Sequence, residues 1–116
     1  MKTFLKDGIC PIRDILSRLG DKWSLLALTT LNANGTMRFN DLQRAIGDIS
    51  QRMLTVTLRS LEADGLIIRK AYAEVPPRVE YSLTHSGEEL MPHLDNLVLW
   101  AVQNTPAITS SRAAKA

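Results

Sequence analysis

Gln51, Arg52, Thr55, Val56 and Arg59 crowd the first turns of "ISQRMLTVTLRSLEADGLI", which runs from Ile49 to Ile67. These residue types suit one chemistry in particular. A glutamine amide pairs with adenine, an arginine fork with guanine or phosphate, and short side chains such as Thr55 and Val56 allow close approach and contact with a thymine methyl. Ser50 stands where a side-chain oxygen caps a helix N-terminus, and Gly65 where a helix ends at positive φ. Leu54, Leu58 and Leu61 fall at helical spacing on the other side. The same residues also suit a solvated helix face with no partner, and the helix by itself leaves both readings open. Glu62 and Asp64 fall late in the segment, and the spacing predicts that they lie away from the reading face.

The second stretch with chemistry is "EVPPRVEY". A proline-stiffened turn that projects Arg78 suits a minor groove, where cations are favoured; alone it reads better as a surface turn with one arginine, but after the preceding helix pair it lies where a wing should lie. Arg69 and Lys70 on the preceding strand extend the positive surface. Cys10 precedes a helix whose N-terminal N–H groups favour a thiolate. It is either a redox or electrophile sensor or a small inert apolar residue. Being the only cysteine, it has no resolving partner in its own chain. His85 and His93 have no metal spacing with each other or with Cys10, and His93 reads as a polar edge residue. No glycine-rich phosphate cradle, paired carboxylate signature or nucleophile elbow is present. The expectation is no enzyme, no metal and no cofactor.

These residues need elements to hold them. Pro11 opens a first helix with Ile12, Ile15, Leu16 and Leu19 on one face, closed by Gly20. Asp21 caps a second helix, Lys22 to Leu31, with Trp23, Leu26, Ala27 and Leu31 mostly interior and "NANG" as a loop. "TMRF" supplies a short strand. Asn40 or a near neighbour caps a third helix carrying Leu42, Ala45 and Ile46, closed by Gly47. The helix bearing Gln51 is the fourth. "LIIRKAYAEVPPRVEYSLT" is a hairpin broken by Pro76-Pro77. Thr84 or Ser86 caps a long last helix with Leu90, Leu94, Leu97 and Ala101 on one face. The expected fold is mainly α with a small β hairpin: a winged helix-turn-helix with N- and C-terminal dimerisation helices. Residues 1–106 form a single domain, and residues 107–116, "AITSSRAAKA", a tail without order.

A chain of 116 residues, 45% apolar, supports one core. The net charge of +2 and pI of about 8.9 permit nucleic-acid binding without requiring it. A lone cysteine and no long apolar run lead to the expectation of a cytoplasmic protein with neither signal peptide nor membrane span.

Three blocks, "CPIRDILSRLGDKWSLLAL", "RFNDLQRAIGDISQRMLTVTLRSLEADGLI" and "EVPPRVEYSLTHSGEEL", resemble the HxlR-type regulators, winged-helix proteins of MarR-like architecture. They cover most of residues 10 to 100. The resemblance implies a homodimeric regulator of transcription, most often a repressor, bound to a pseudo-palindromic double-stranded DNA operator. It places Ser50, Gln51, Arg52, Thr55, Val56 and Arg59 on the recognition helix and Arg78 on the wing. Some relatives sense oxidants or electrophiles through a cysteine matching Cys10, which makes such an effector a further expectation. The wide apolar face at Leu90, Leu94, Leu97 and Ala101 is then the dimer interface, completed by the first helix. The competing function is a winged-helix protein-interaction module that does not bind DNA.

Overall fold

A computed structural model describes residues 11–115. The elements run α1 (Pro11–Leu19), α2 (Lys22–Asn34), β1 (Met37–Arg38), α3 (Phe39–Ile46), α4 (Gln51–Ala63), β2 (Ile67–Tyr72), β3 (Arg78–Leu83) and α5 (His85–Lys115).

The centre of the packing is α2. Asp21 caps it, its carboxylate accepting from Ser24 N (3.3 Å) and from the buried Ser24 hydroxyl (3.1 Å). Its inner face carries Ala27, Leu28 and Leu31, on which Leu42 of α3, Leu54, Leu58 and Leu61 of α4, and Met91 and Leu94 of α5 converge. Fully burying each of these leucines stabilises the fold by roughly 1.5–3 kcal/mol. Trp23 is only partly buried and Leu26 is exposed, contrary to the interior role expected for both. Ala45 is exposed as well.

α2 continues past Leu31 to Asn34, so most of "NANG" is a last helical turn rather than a loop. The stop is Gly35, at φ 76°, whose N–H returns to Leu31 O at 2.8 Å. The expected cap at Asn40 is also displaced. α3 starts directly off β1, with Arg38 in the capping position and no side-chain cap. Pairing of Arg38 with Glu80 across the sheet holds the backbone extended up to that point.

The sheet is antiparallel in the order β1-β3-β2. Ile67, Val79, Tyr81 and Leu83 turn its inner face toward the helices. At the far end of the hairpin, Thr84 ties three elements together. Its hydroxyl donates to Gly65 O (2.6 Å) and accepts from Gly87 N (3.1 Å), while its own N–H donates to Leu66 O (3.1 Å). Thr84, rather than Ser86, is therefore the cap of α5.

α5 extends through Lys115. Residues 107–115 are thus helical where the composition predicts no order. Extending an existing helix adds one hydrogen bond per residue fixed, and the alanines, Arg112 and Lys115 have high helix propensity, so no apolar period is needed. Pro92 and Pro106 lie inside the helix, each without the N–H that would bond the preceding turn.

Candidate nucleic-acid interface

The helix-turn-helix is built by local hydrogen bonds. Gly47 ends α3 at φ 97°, its N–H on Gln43 O at 3.0 Å. The Gln43 amide donates to Ile49 O at 3.2 Å, and Ile49 itself is buried. The turn is therefore pinned by a polar bond and an apolar plug. Ser50 then accepts from Met53 N at 3.0 Å, opening α4 as the sequence predicts. At the other end Gly65, at φ 75°, donates to Glu62 O and Leu66 donates to Leu61 O, both at 3.0 Å. This is the paired closure that needs a residue at positive φ.

Between these caps α4 has three faces. Leu54, Thr57, Leu58 and Leu61 are buried. Arg52, Val56 and Arg59 are exposed on the outermost side. The third face looks toward the hairpin: Gln51, Thr55, Arg59 and Glu62 line a concavity of about 600 Å³ whose opposite wall includes Phe39, Arg69 and Tyr81. The Thr55 hydroxyl donates to Gln51 O at 2.9 Å, so its proton is committed to the helix itself. Four of the residues singled out for DNA contact thus meet in one cleft. Glu62, expected away from it, lines it too. At 100° per residue, position 62 returns to within about 20° of position 51.

The hairpin separates its two arginines. Arg69 pairs in register with Tyr81 and Tyr72 with Arg78; strand alternation places Arg69 and Tyr72 on opposite faces. Arg69 faces the cleft. Arg78 does not project from the tip as the sequence predicts. Its guanidinium stacks at 3.9 Å from the Tyr72 ring centroid, bonds Glu74 at 3.1 Å and lies 3.8 Å from Glu80. The tip itself consists of exposed Val75, Pro76 and Pro77, joined through a cis Val75–Pro76 bond.

Away from the cleft, the expected dimer face is altered. Leu94 is only 4% exposed and belongs to the core of its own chain, with Leu90 packed against that core. Leu94 is thereby taken up by its own chain, whereas Leu90 keeps part of its surface in a shallow concavity that Ile15 and Leu19 also line. Beyond Leu94 no residue of α5 is buried: Leu97 (55%), Val98, Leu99, Trp100 (56%) and Val102 face solvent, as do Ile15 and Leu16 of α1, and Ala101 is exposed among them. Arg18 of α1 bonds Asp64, the C-cap residue of α4, at 2.6 Å. Nothing in either residue's local sequence signals that link. Among the described residues no group of three or more His, Cys, Asp or Glu side chains is placed to hold a metal. His85 pairs with Glu89 at 2.6 Å. Cys10 lies outside the described residues. No helix among those described is long and apolar enough to cross a membrane.

Two helices meeting through a short turn, the second with an exposed cationic face and a hairpin at its side, define a winged helix-turn-helix protein. Known proteins agree. A transcriptional regulator of the helix-turn-helix type from Methanothermobacter thermautotrophicus is 49% identical over 79% of this chain and 70% of its own length. The solved structure of the ytfH transcriptional regulator from Salmonella typhimurium superposes with a TM-score of 0.83 at 39% identity, covering 94% of this chain and 96% of that one. The redox regulator HypR in its reduced form does so with a TM-score of 0.78 at 40% identity, over 86% and 98%. The model of the HxlR-like helix-turn-helix family matches residues 18–109, and the chain belongs to that family of DNA-binding transcriptional regulators.

Proposed function

We propose that the protein is a cytoplasmic homodimeric repressor that seats α4 in the major groove of a pseudo-palindromic double-stranded DNA operator. The observation that carries this reading is the outer side of α4. Arg52, Val56 and Arg59 are exposed along it, Gln51 and Thr55 flank them, and Ser50 secures the helix start. In this arrangement Gln51 and Arg52, nearest the N-terminus, meet base edges, Thr55 and Val56 allow close approach, and Arg59 and Arg69 meet phosphates. Arg78 belongs to the wing beside the same duplex. The dimer joins through the exposed part of α5 from Leu97 through Ala101, together with Ile15 and Leu16, since a water-exposed apolar surface of this kind marks an interaction site.

A redox or electrophile response through Cys10 is part of the proposal, supported by the likeness to HypR, a redox regulator. Oxidant should weaken operator binding by the wild type, a reductant should restore it, and Cys10→Ser should not respond; identical responses of both proteins would remove Cys10 from the mechanism.

The test of the main reading is recovery of bound fragments from the source genome, followed by footprinting and titration across salt. Each phosphate neutralised contributes about −0.9 to the slope of log K against log salt. A folded protein that binds no fragment, or binds without salt dependence, would instead support a winged-helix protein-interaction module.

A further inference from the structure

The side chain of Arg78 is only 27% exposed, and its Nε is buried with no hydrogen-bond partner. Its guanidinium is held between the Tyr72 ring and the carboxylates of Glu74 and Glu80. Lys70 and Arg38 both pair in register with Glu80, so these two exposed cations carry the positive charge that this outer face can offer to phosphates, whereas Arg78 is already committed to Glu74 and Glu80. A phosphate would have to draw Arg78 away from its ring and both carboxylates. Arg69, on the other face, is exposed and has no ion pair among the described residues. At the tip Val75 is 101% exposed and is followed by two prolines of restricted φ. A hairpin that leaves its valine wholly in water, on a stiffened loop, gains by placing it against another apolar surface. Apolar side chains at a minor groove do this by contacting sugars and base steps.

The geometry points to Arg78 as a positioning residue: it braces the hairpin from within, so that an apolar tip of Val75, Pro76 and Pro77 meets the minor groove while exposed cations such as Arg69 supply the charge. This assignment rests on the DNA-binding reading and adds a division of labour within the wing. Tip contact is insensitive to salt, whereas a phosphate contact is not.

The test is operator titration across salt with the full chain, alongside thermal melts and hydrogen exchange of the hairpin amides. Arg69→Ala should flatten the salt slope by about 0.9 per wing. Arg78→Gln and Tyr72→Leu should each weaken binding several-fold at every salt concentration with the wild-type slope and an unchanged melting temperature. Both should speed exchange between residues 72 and 78, and the double variant should bind no more weakly than either single one. Val75→Ser should lose affinity at unchanged slope and unchanged exchange. A slope flattened by about 0.9 in Arg78→Gln, with normal hairpin exchange, would put Arg78 on a phosphate and overturn the assignment. So would wild-type affinity in that variant. A wild-type protein with no salt-dependent DNA binding would instead overturn the DNA reading, and the brace with it.

Discussion

Gln51 and Ser50 are neighbours with separable duties. Gln51 is the first residue of α4 and is exposed on the cleft side, where a side-chain amide can pair with one base. Gln51→Ala should cost about 1–3 kcal/mol on the proper operator and relax preference at one position per half-site, measured by binding to single-base operator variants. Equal loss on scrambled DNA would assign Gln51 to the backbone instead. Ser50 acts on the helix itself through its 3.0 Å bond from Met53 N. Ser50→Ala should lower stability by about 1 kcal/mol, read by denaturant unfolding, because one N–H at the helix start loses its partner. Ser50→Asp should keep that stability and yet weaken DNA binding, since the new carboxylate would face phosphates. Arg59 lies two turns beyond Gln51 and should behave as a phosphate contact, weakening proper and scrambled sites alike.

Among the elements, the joint between α4, β2 and α5 decides where the wing stands. Gly65 and Leu66 lead from the recognition helix into β2, and their carbonyls receive the Thr84 hydroxyl and N–H. Gly87 completes the joint at a place where a Cβ would collide with the Leu66 carbonyl oxygen and press on Leu83 Cδ2. Gly87→Ala should therefore destabilise the fold by roughly the 1–3 kcal/mol of an overpacked site or more, because backbone cannot turn aside as a flexible side chain does. A melting temperature equal to wild type would show that α5 can slide relative to β2. The Arg18–Asp64 bond joins α1 to the same region, but both side chains are more than a third exposed, and Asp64→Asn should cost well under 1 kcal/mol.

At the scale of the molecule, α5 is 31 residues long, about 46 Å at 1.5 Å per residue, and its second half has no core to rest on. A dimer joined there would present two copies of α4 to half-sites centred about 34 Å apart, one turn of duplex. Leu97→Glu should give monomer or aggregate in sedimentation, because a carboxylate would then sit in an apolar interface. It should also lose most operator affinity while circular dichroism keeps the wild-type helical signal. A folded Leu97→Glu dimer would move the interface elsewhere. The proposed Cys10 response belongs to this scale too, since a lone thiol can form a disulfide only with another chain or a small thiol.

Short-range patterns were legible in the residues themselves. The apolar spacing of Leu54, Leu58 and Leu61, the cap at Ser50, the stop at Gly65 and the prolines between two β-rich runs each depend on interactions within a few positions. These defined the element order, the helix-turn-helix and the hairpin. What only the tertiary structure decided were matters of direction and partnership. Glu62 enters the cleft because three full turns bring it back beside Gln51, and the hairpin supplies the opposing wall. Arg78 turns onto Tyr72 because cross-strand register sets the two side by side. Leu94 belongs to the core and Leu97 to the surface although both sit on one apolar stripe: the body of the fold ends between them. Periodicity tells which side of a helix is apolar, but what covers that side depends on residues distant in sequence, such as α2 packing against both α4 and α5.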